Sequence, residues 1–210
     1  MTDTAETLLA VQPDFRSFSK IPRLFSDVII TEKIDGTNGQ IYITEYGDMF
    51  VGSRNRWLAH GSDNFGFHAW ATAHKQELLE LGPGRHYGEW WGSGVQRGYG
   101  LMKGEKRFSL FNVSRWYDLG TTSLLLDGSF DRGIPPTAAP APACCRVVPV
   151  LFSGDFSTEA VAGAQAELQK GGSWAAPGFD SPEGVMIYHV RAGTYFKAPF
   201  DPLPKGPQPE

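Results

Sequence analysis

Cysteine is almost absent from this chain: the only two, Cys144 and Cys145, are adjacent within 210 residues. Neighbouring thiols cannot tie distant segments together, so a disulfide-stapled secreted scaffold is excluded and a reducing compartment is expected. The cysteines lack zinc-ligand spacing and the five histidines contain no His-x-x-x-His pair, which leaves no signature of a structural metal. Long apolar runs are missing, and the start of the chain carries Asp3, Glu6 and Asp14 in place of a basic segment followed by an apolar one. No membrane span and no secretory leader are expected, and the chain reads as cytoplasmic. The glycine-rich stretch from Gly92 to Gly100 holds neither a complete Gly-x-Gly-x-x-Gly nor a Walker lysine, so a P-loop and a Rossmann turn are excluded. Basic charge is not in excess, with 19 Lys and Arg against 23 Asp and Glu. A surface that wraps nucleic acid all round is therefore disfavoured, although a local basic groove is not.

What is present is ordinary for a globular domain: 41% hydrophobic and 20% charged residues, in a length that suits one domain with a substantial core. The first twenty or so residues show no clear period and read as a short helix or frayed terminus anchored by Phe15, Phe18, Ile21 and Leu24. A β-meander follows, over 28–32, 40–45 and 49–53, with Tyr46-Gly47-Asp48 as a turn. Apolar residues at helical spacing predict one packing helix over 64–81, stopped by Gly82-Pro83-Gly84. Strands are expected from His86 to Gly92 and from Arg107 to Trp116, then a Pro/Ala-rich connection over 131–143. The pattern after it is an apolar run over 147–152, a helix capped by Ser157 or Thr158, and two short strands over 184–190 and 194–197. No strand-helix-strand rhythm appears, which points to an α+β fold of mostly antiparallel sheet.

Two stretches carry chemistry. Arg97, Lys103, Lys106, Arg107 and Arg115 fall close together with Tyr99, Phe108 and Trp116 among them, either a phosphate-contacting and base-stacking groove or a solvated basic face. The other is Glu32-Lys33-Ile34-Asp35-Gly36-Thr37-Asn38, set between the apolar run Val28-Ile29-Ile30 and the alternating Ile41-Tyr42-Ile43. By itself it also describes a hairpin with a surface lysine and an Asp-Gly turn. A lysine amine at a strand end is a nucleophile toward phosphorus once neutral, and deprotonating a free one at pH 7 costs roughly 4.6 kcal/mol. Asp35 is placed to align the amine, Gly36 to let backbone approach a ligand, and Asn38 to offer both donors and an acceptor.

Lys33-Ile34-Asp35-Gly36-Thr37-Asn38 resembles the nucleophile motif of the covalent nucleotidyltransferases (DNA ligases, RNA ligases and capping enzymes), and with Glu32 it looks most like the RNA-ligase branch. Further segments match in the right order. Arg54 resembles the arginine that contacts substrate phosphate. Glu89 in Tyr87-Gly88-Glu89-Trp90 is similar to the carboxylate that holds the ribose hydroxyls. Phe111 in Phe108-Ser109-Leu110-Phe111-Asn112 looks like the aromatic that stacks on adenine, although a strand phenylalanine is as readily core. Glu183-Gly184 resembles the motif in which the carboxylate holds the metal and the glycine makes room for the nucleotide. Lys197 matches the final lysine, but Tyr195 and Pro199 flank it where the family commonly has a second lysine.

The resemblance covers about residues 20–200 and implies a nucleotidyltransferase (ATP-grasp-like) domain over 1–200, with antiparallel sheets flanked by helices and a proline-rich tail over 201–210. No C-terminal OB or helical domain is expected, so an accessory domain or protein is an expected partner. The activity implied is an ATP-dependent RNA ligase joining 5′-phosphate and 3′-hydroxyl ends through a lysyl-AMP on Lys33. It would use ATP and Mg²⁺ (or Mn²⁺), with Lys33, Asp35, Glu183 and Lys197 catalytic, Glu183 on the metal, and Glu32, Gly36, Asn38, Arg54, Glu89, Phe111 and Gly184 binding the nucleotide. ATP is favoured over NAD because little chain precedes Lys33. DNA ends, a stand-alone adenylyltransferase and a non-catalytic ATP or RNA-end binding module are the alternatives.

Overall fold

The computed structural model describes residues 14–117 and 140–200. Its first strand, β1 (Asp27–Glu32), is buried from Val28 to Glu32, as a central strand packed on both faces must be. The chain then leaves that sheet and builds a second one from β2 (Thr37–Ile43), β3 (Met49–Ser53), β4 (Gly84–Gly92), β5 (Lys106–Leu110) and β6 (Cys145–Val147). It returns with β7 (Val150–Asp155), β8 (Gly184–His189) and β9 (Thr194–Pro199). The first sheet has the order β7-β1-β8-β9 and the second β3-β2-β4-β5-β6. The fold is α+β, and among the described residues every strand pair is antiparallel except β5 with β6, which run parallel through Phe108 and Cys145.

Three apolar clusters hold these layers. Helix α3 (Thr158–Gly171) packs Ala160, Ala164 and Leu168 against Val28, Ile30, Val185 and Ile187 of the first sheet. Its N-cap is Ser157, whose side chain accepts the Ala160 N–H, and Glu159 and Lys170 complement the helix dipole at its two ends. Helices α1 (Phe67–Ala73) and α2 (Lys75–Leu79) cover the outer face of the second sheet around Phe67, Leu78, Trp90 and Phe108. The third cluster, with Ile29, Ile34, Trp91, Tyr99 and Val150, lies between the sheets and fixes how they face each other.

Several expectations are corrected. The single helix over 64–81 is two, because His74 leaves helical geometry (φ −101°, ψ 20°). Its backbone N–H (3.0 Å) and its ring Nδ1 (2.9 Å) both converge on the Trp70 carbonyl. The strand expected through Trp116 ends at Leu110. The Phe111 N–H still reaches the Tyr87 carbonyl, but a single 3₁₀ turn over Val113–Arg115 then tucks Trp116 into the core. The run over 147–152 is interrupted between β6 and β7, at Val148-Pro149. The side chains of Phe15, Phe18, Ile21 and Leu24 are 61–90% exposed and pack no core among the described residues, although the Leu24 carbonyl meets the His189 ring nitrogen Nε2 at 2.9 Å. Residues 1–13, most of the Pro/Ala-rich connection and the proline-rich tail lie outside the described residues. No described helix is long and apolar enough to cross a membrane.

Candidate active site

The segment that carries the lysine motif is where the chain crosses from one sheet to the other. Lys33 follows the last residue of β1; its backbone N–H donates to the Gly184 carbonyl at 2.9 Å, and its Nζ pairs with the Glu183 carboxylate. Both side chains are largely shielded, at 21% and 12% exposure, so solvent screens their attraction only in part. Asp35 does not touch the amine. Its carboxylate accepts from Arg97 Nε at 3.0 Å, its backbone N–H donates to the Tyr99 hydroxyl at 2.7 Å, and Arg97 also reaches the Ser181 carbonyl at 3.1 Å. Arg97 thereby links the lysine turn to the segment leading into Glu183.

Glu89, on β4, faces the turn from the other sheet. Its two oxygens accept the Gly36 N–H at 3.1 Å and the Asn38 side-chain amide at 3.0 Å, and each keeps a second lone pair for a further donor. Burial pushes its carboxyl up to about 7, against the opposing pull of the Lys33 charge and the Gly36 N–H. The Tyr99 hydroxyl is also raised, chiefly by burial. Asn38 leads from Glu89 to a cavity of about 430 Å³ that Arg54, Tyr87 and Phe111 line from the second sheet and Tyr195 lines from the first.

The structure therefore brings Lys33, Glu183, Glu89 and Asn38 together, and Asn38 also lines the adjoining cavity with Arg54 and Phe111, which Lys33, Glu183 and Glu89 do not line. Glu32, Gly36 and Gly184 each meet protein, and Lys197 stands further off. Glu32 is 1% exposed, and its carboxylate accepts from the Ser173 hydroxyl (2.6 Å) and the amides of Trp174 (2.8 Å) and Ala175 (2.9 Å). It latches the loop after α3 to β1, and its carboxyl is raised by burial. Gly36 makes room for protein: a Cβ there would stand 2.5 Å from the Trp90 carbonyl oxygen. Gly184 does the same at φ 143°, where a Cβ would meet the Ala198 oxygen at 2.5 Å. Lys197 is exposed on β9, opposite Met186, which in turn pairs with Thr31. It thus shares the Thr31 face two strands away, about 10 Å laterally, and among the described residues its ammonium has no protein partner.

The basic run does not form a stacking groove, because Tyr99, Phe108 and Trp116 are at most 5% exposed. Most of its cations have protein partners, Arg97 on Asp35, Lys106 on the Phe65 carbonyl, Arg107 on the Glu105 carboxylate and the Ala175 carbonyl, and Arg115 on the Leu81 carbonyl. Arg97 and Tyr99 were not separable from that run by sequence; the one local sign is the glycine-rich loop that lets Tyr99 sit at φ 53°. Among the described residues no group of three or more His, Cys, Asp or Glu stands close enough to hold a metal. A hard divalent ion bound through one carboxylate and substrate phosphates needs no such group, and Glu183 fits that mode.

A lysine and two carboxylates are thus gathered at the crossing between two sheets. A family model for RNA ligase matches residues 26–198, and the chain belongs to the RNA ligase family. No curated protein matches the chain. Among solved structures, an apo mutant of a Naegleria gruberi RNA ligase aligns with TM-score 0.52 and 20% identity over 82% of this chain and 49% of that one. A mutant of Naegleria gruberi RNA ligase with ATP and Mn aligns at 0.52 and 16% identity, over 82% and 48% of the two chains. A further mutant with AMP and Mn gives 0.51 and 17%, over 82% and 49%. The likeness is one of fold, and this chain spans about half the length of the proteins it matches.

Proposed function

We propose that this chain carries the nucleotidyl-transfer site of an ATP-dependent RNA ligase of the covalent nucleotidyltransferase type. The observation that carries the reading is the position of Lys33, with its amine against Glu183 and Glu89 facing its turn from the opposite sheet. Membership of the RNA ligase family supports it.

In this reading Lys33 gives its proton to water and Nζ attacks the α-phosphorus of ATP. The N–P bond forms as the P–O bond to pyrophosphate breaks. Glu183 would hold Mg²⁺ (or Mn²⁺) together with the phosphates; a bound divalent ion supplies charge neutralisation there and competes with the amine for that carboxylate. Glu89 has lone pairs for the ribose hydroxyls, Phe111 offers a ring face in the cavity, and Arg54 and Lys197 bring positive charge toward phosphate. Lys33 then passes AMP to a 5′-phosphate end, and a 3′-hydroxyl attacks that end, giving a phosphodiester and free AMP.

Intact mass of the protein after incubation with ATP and Mg²⁺ tests this, with Lys33→Ala as control. An added AMP on the wild type and none on the variant is the expected outcome, and an unmodified wild type overturns it. A chase with 5′-phosphorylated RNA or DNA then separates sealing from bare adenylylation and RNA from DNA.

A further inference from the structure

The face of the second sheet that carries Asn38 and Glu89 does not end at the cleft. Alternate residues of β2 share it, so Asn38 is followed by Gln40 and Tyr42, paired with Glu89, Tyr87 and Arg85 on β4. On the other side Tyr42 pairs with Phe50 of β3, and Trp57 lies beside both. The ring centroids of Tyr42, Phe50 and Trp57 are 5.9–6.3 Å apart. The Arg85 guanidinium lies 4.4 Å from the Tyr42 ring centre and 5.5 Å from that of Trp57. This is where aromatic surface is left open: Phe50 and Trp57 are each 48% exposed and Tyr87 is 52% exposed, in contrast to the buried rings of the basic run.

The tract begins at the candidate site and runs outward about 13 Å along β4, from Glu89 to Arg85. Beyond Glu89 no carboxylate stands in these paired rows, although the whole chain carries a net charge of −4. Arg54 is exposed beside it and, among the described residues, makes no ion pair. At the edge strand a hollow of about 320 Å³ opens behind Phe50 and Trp57, bounded by Leu58, His68, Thr72 and Lys75. Half-exposed rings interleaved with guanidinium groups are what an unpaired nucleic-acid strand requires, since every base has a face to stack and every linkage a phosphate to neutralise.

We propose that the Tyr42–Phe50–Trp57 tract seats single-stranded RNA next to the end being joined, with bases on Phe50 and Trp57 and phosphates toward Arg85 and Arg54. The proposal rests on the RNA-ligase reading above for the identity of the strand. It assigns the recognition of nucleotides away from the join to rings that lie outside the nucleotide cavity, Phe50 and Trp57, with Arg54 and Arg85 on the border that the two surfaces share.

The test is the affinity of a 5′-phosphorylated 12-nucleotide single-stranded RNA, by fluorescence anisotropy, for the wild type, Trp57→Ala, Trp57→Phe and Phe50→Ala. Trp57→Ala weakens binding about ten-fold, as loss of a stacking platform does, and Trp57→Phe recovers most of it. AMP loading of Lys33 in the same variants stays at the wild-type rate. Photo-crosslinking of the wild type to RNA containing 5-iodouridine maps to Phe50, Trp57 or Tyr42, a readout that needs no variant to fold. Crosslinks confined elsewhere, or unchanged affinity in a folded Trp57→Ala, overturn the proposal. So does protection of Trp57 by a second copy or by another part of the same protein. AMP loading without RNA at this tract removes the proposal and leaves the ligase reading. RNA on the tract of a protein that never loads AMP does the reverse.

Discussion

The backbone N–H of Gly36 donates to the carboxylate of Glu89 at 3.1 Å, which ties the turn after Lys33 to the opposite sheet. That carboxyl is 8% exposed and raised by burial to about 7. A carboxyl raised on folding contributes stability that is complete below its unfolded value near 4.5 and is lost as pH climbs through about 7. The nucleotide-free protein is therefore expected to have a higher urea midpoint at pH 5 than at pH 8. The Glu89 share is roughly 3 kcal/mol from the size of the shift, and Glu89→Gln should flatten the profile by that order. Equal slopes in wild type and variant would refute the assignment.

Glu32→Ala is expected to behave as a stability mutation. It strands the Ser173 hydroxyl and the amides of Trp174 and Ala175 inside the protein. A loss of roughly 3 kcal/mol follows from donors left without an acceptor. Chemical denaturation measures it, and a variant as stable as the wild type would show that the latch contributes nothing.

Arg97 is expected to act by position. Arg97→Ala releases Asp35 and Ser181 together, so the lysine turn and the Glu183 segment lose their common tie. AMP loading should fall about ten-fold or more, the cost of a reacting group held slightly out of place. Arg97→Lys should recover little of it, because an ammonium lacks the planar fork that serves two acceptors. Single-turnover loading rates at saturating ATP, compared with ATP affinity, distinguish this from a binding defect.

Glu183→Gln removes the ion partner of Lys33 and the one candidate carboxylate for the metal. A drop of about a hundred-fold in AMP loading is expected, on the scale of losing one preorganised electrostatic contact. The divalent-ion concentration that gives half-maximal loading should rise as well. An unchanged ion requirement would place the metal elsewhere.

Gly36→Ala should cost roughly 2 kcal/mol, since the added methyl overlaps the Trp90 carbonyl and the Trp91 side chain in a packed region. A thermal melt in the absence of nucleotide tests whether this glycine serves the fold, as the geometry indicates, before it serves a ligand.

Much of this site could be read from the chain because its parts are local. Lys33 to Asn38 links a continuous apolar strand to one whose alternation is plain, and Ser157 announces α3 by its capping position. Glu183 lies 150 residues from Lys33, and only resemblance to a motif, not periodicity, connected the two before the strand pairing of β1 with β8 did. The glycines were legible as obligatory, and the structure adds the close approach of neighbouring backbone, which a sequence cannot show. The basic run failed for a related cause: alternation assigns residues to opposite faces of a strand without saying which face is covered. Phe108 is covered on one side by Phe67 of α1, whereas Phe50 and Trp57, unremarkable in sequence, stand at an edge where nothing described covers them fully.

Lys33 and Glu183 are borne by adjoining strands of one sheet, whereas Glu89 rides on the other. The turn from Lys33 to Gly36 is therefore the seam of the two layers, a cation answered by one acidic side chain from each of them.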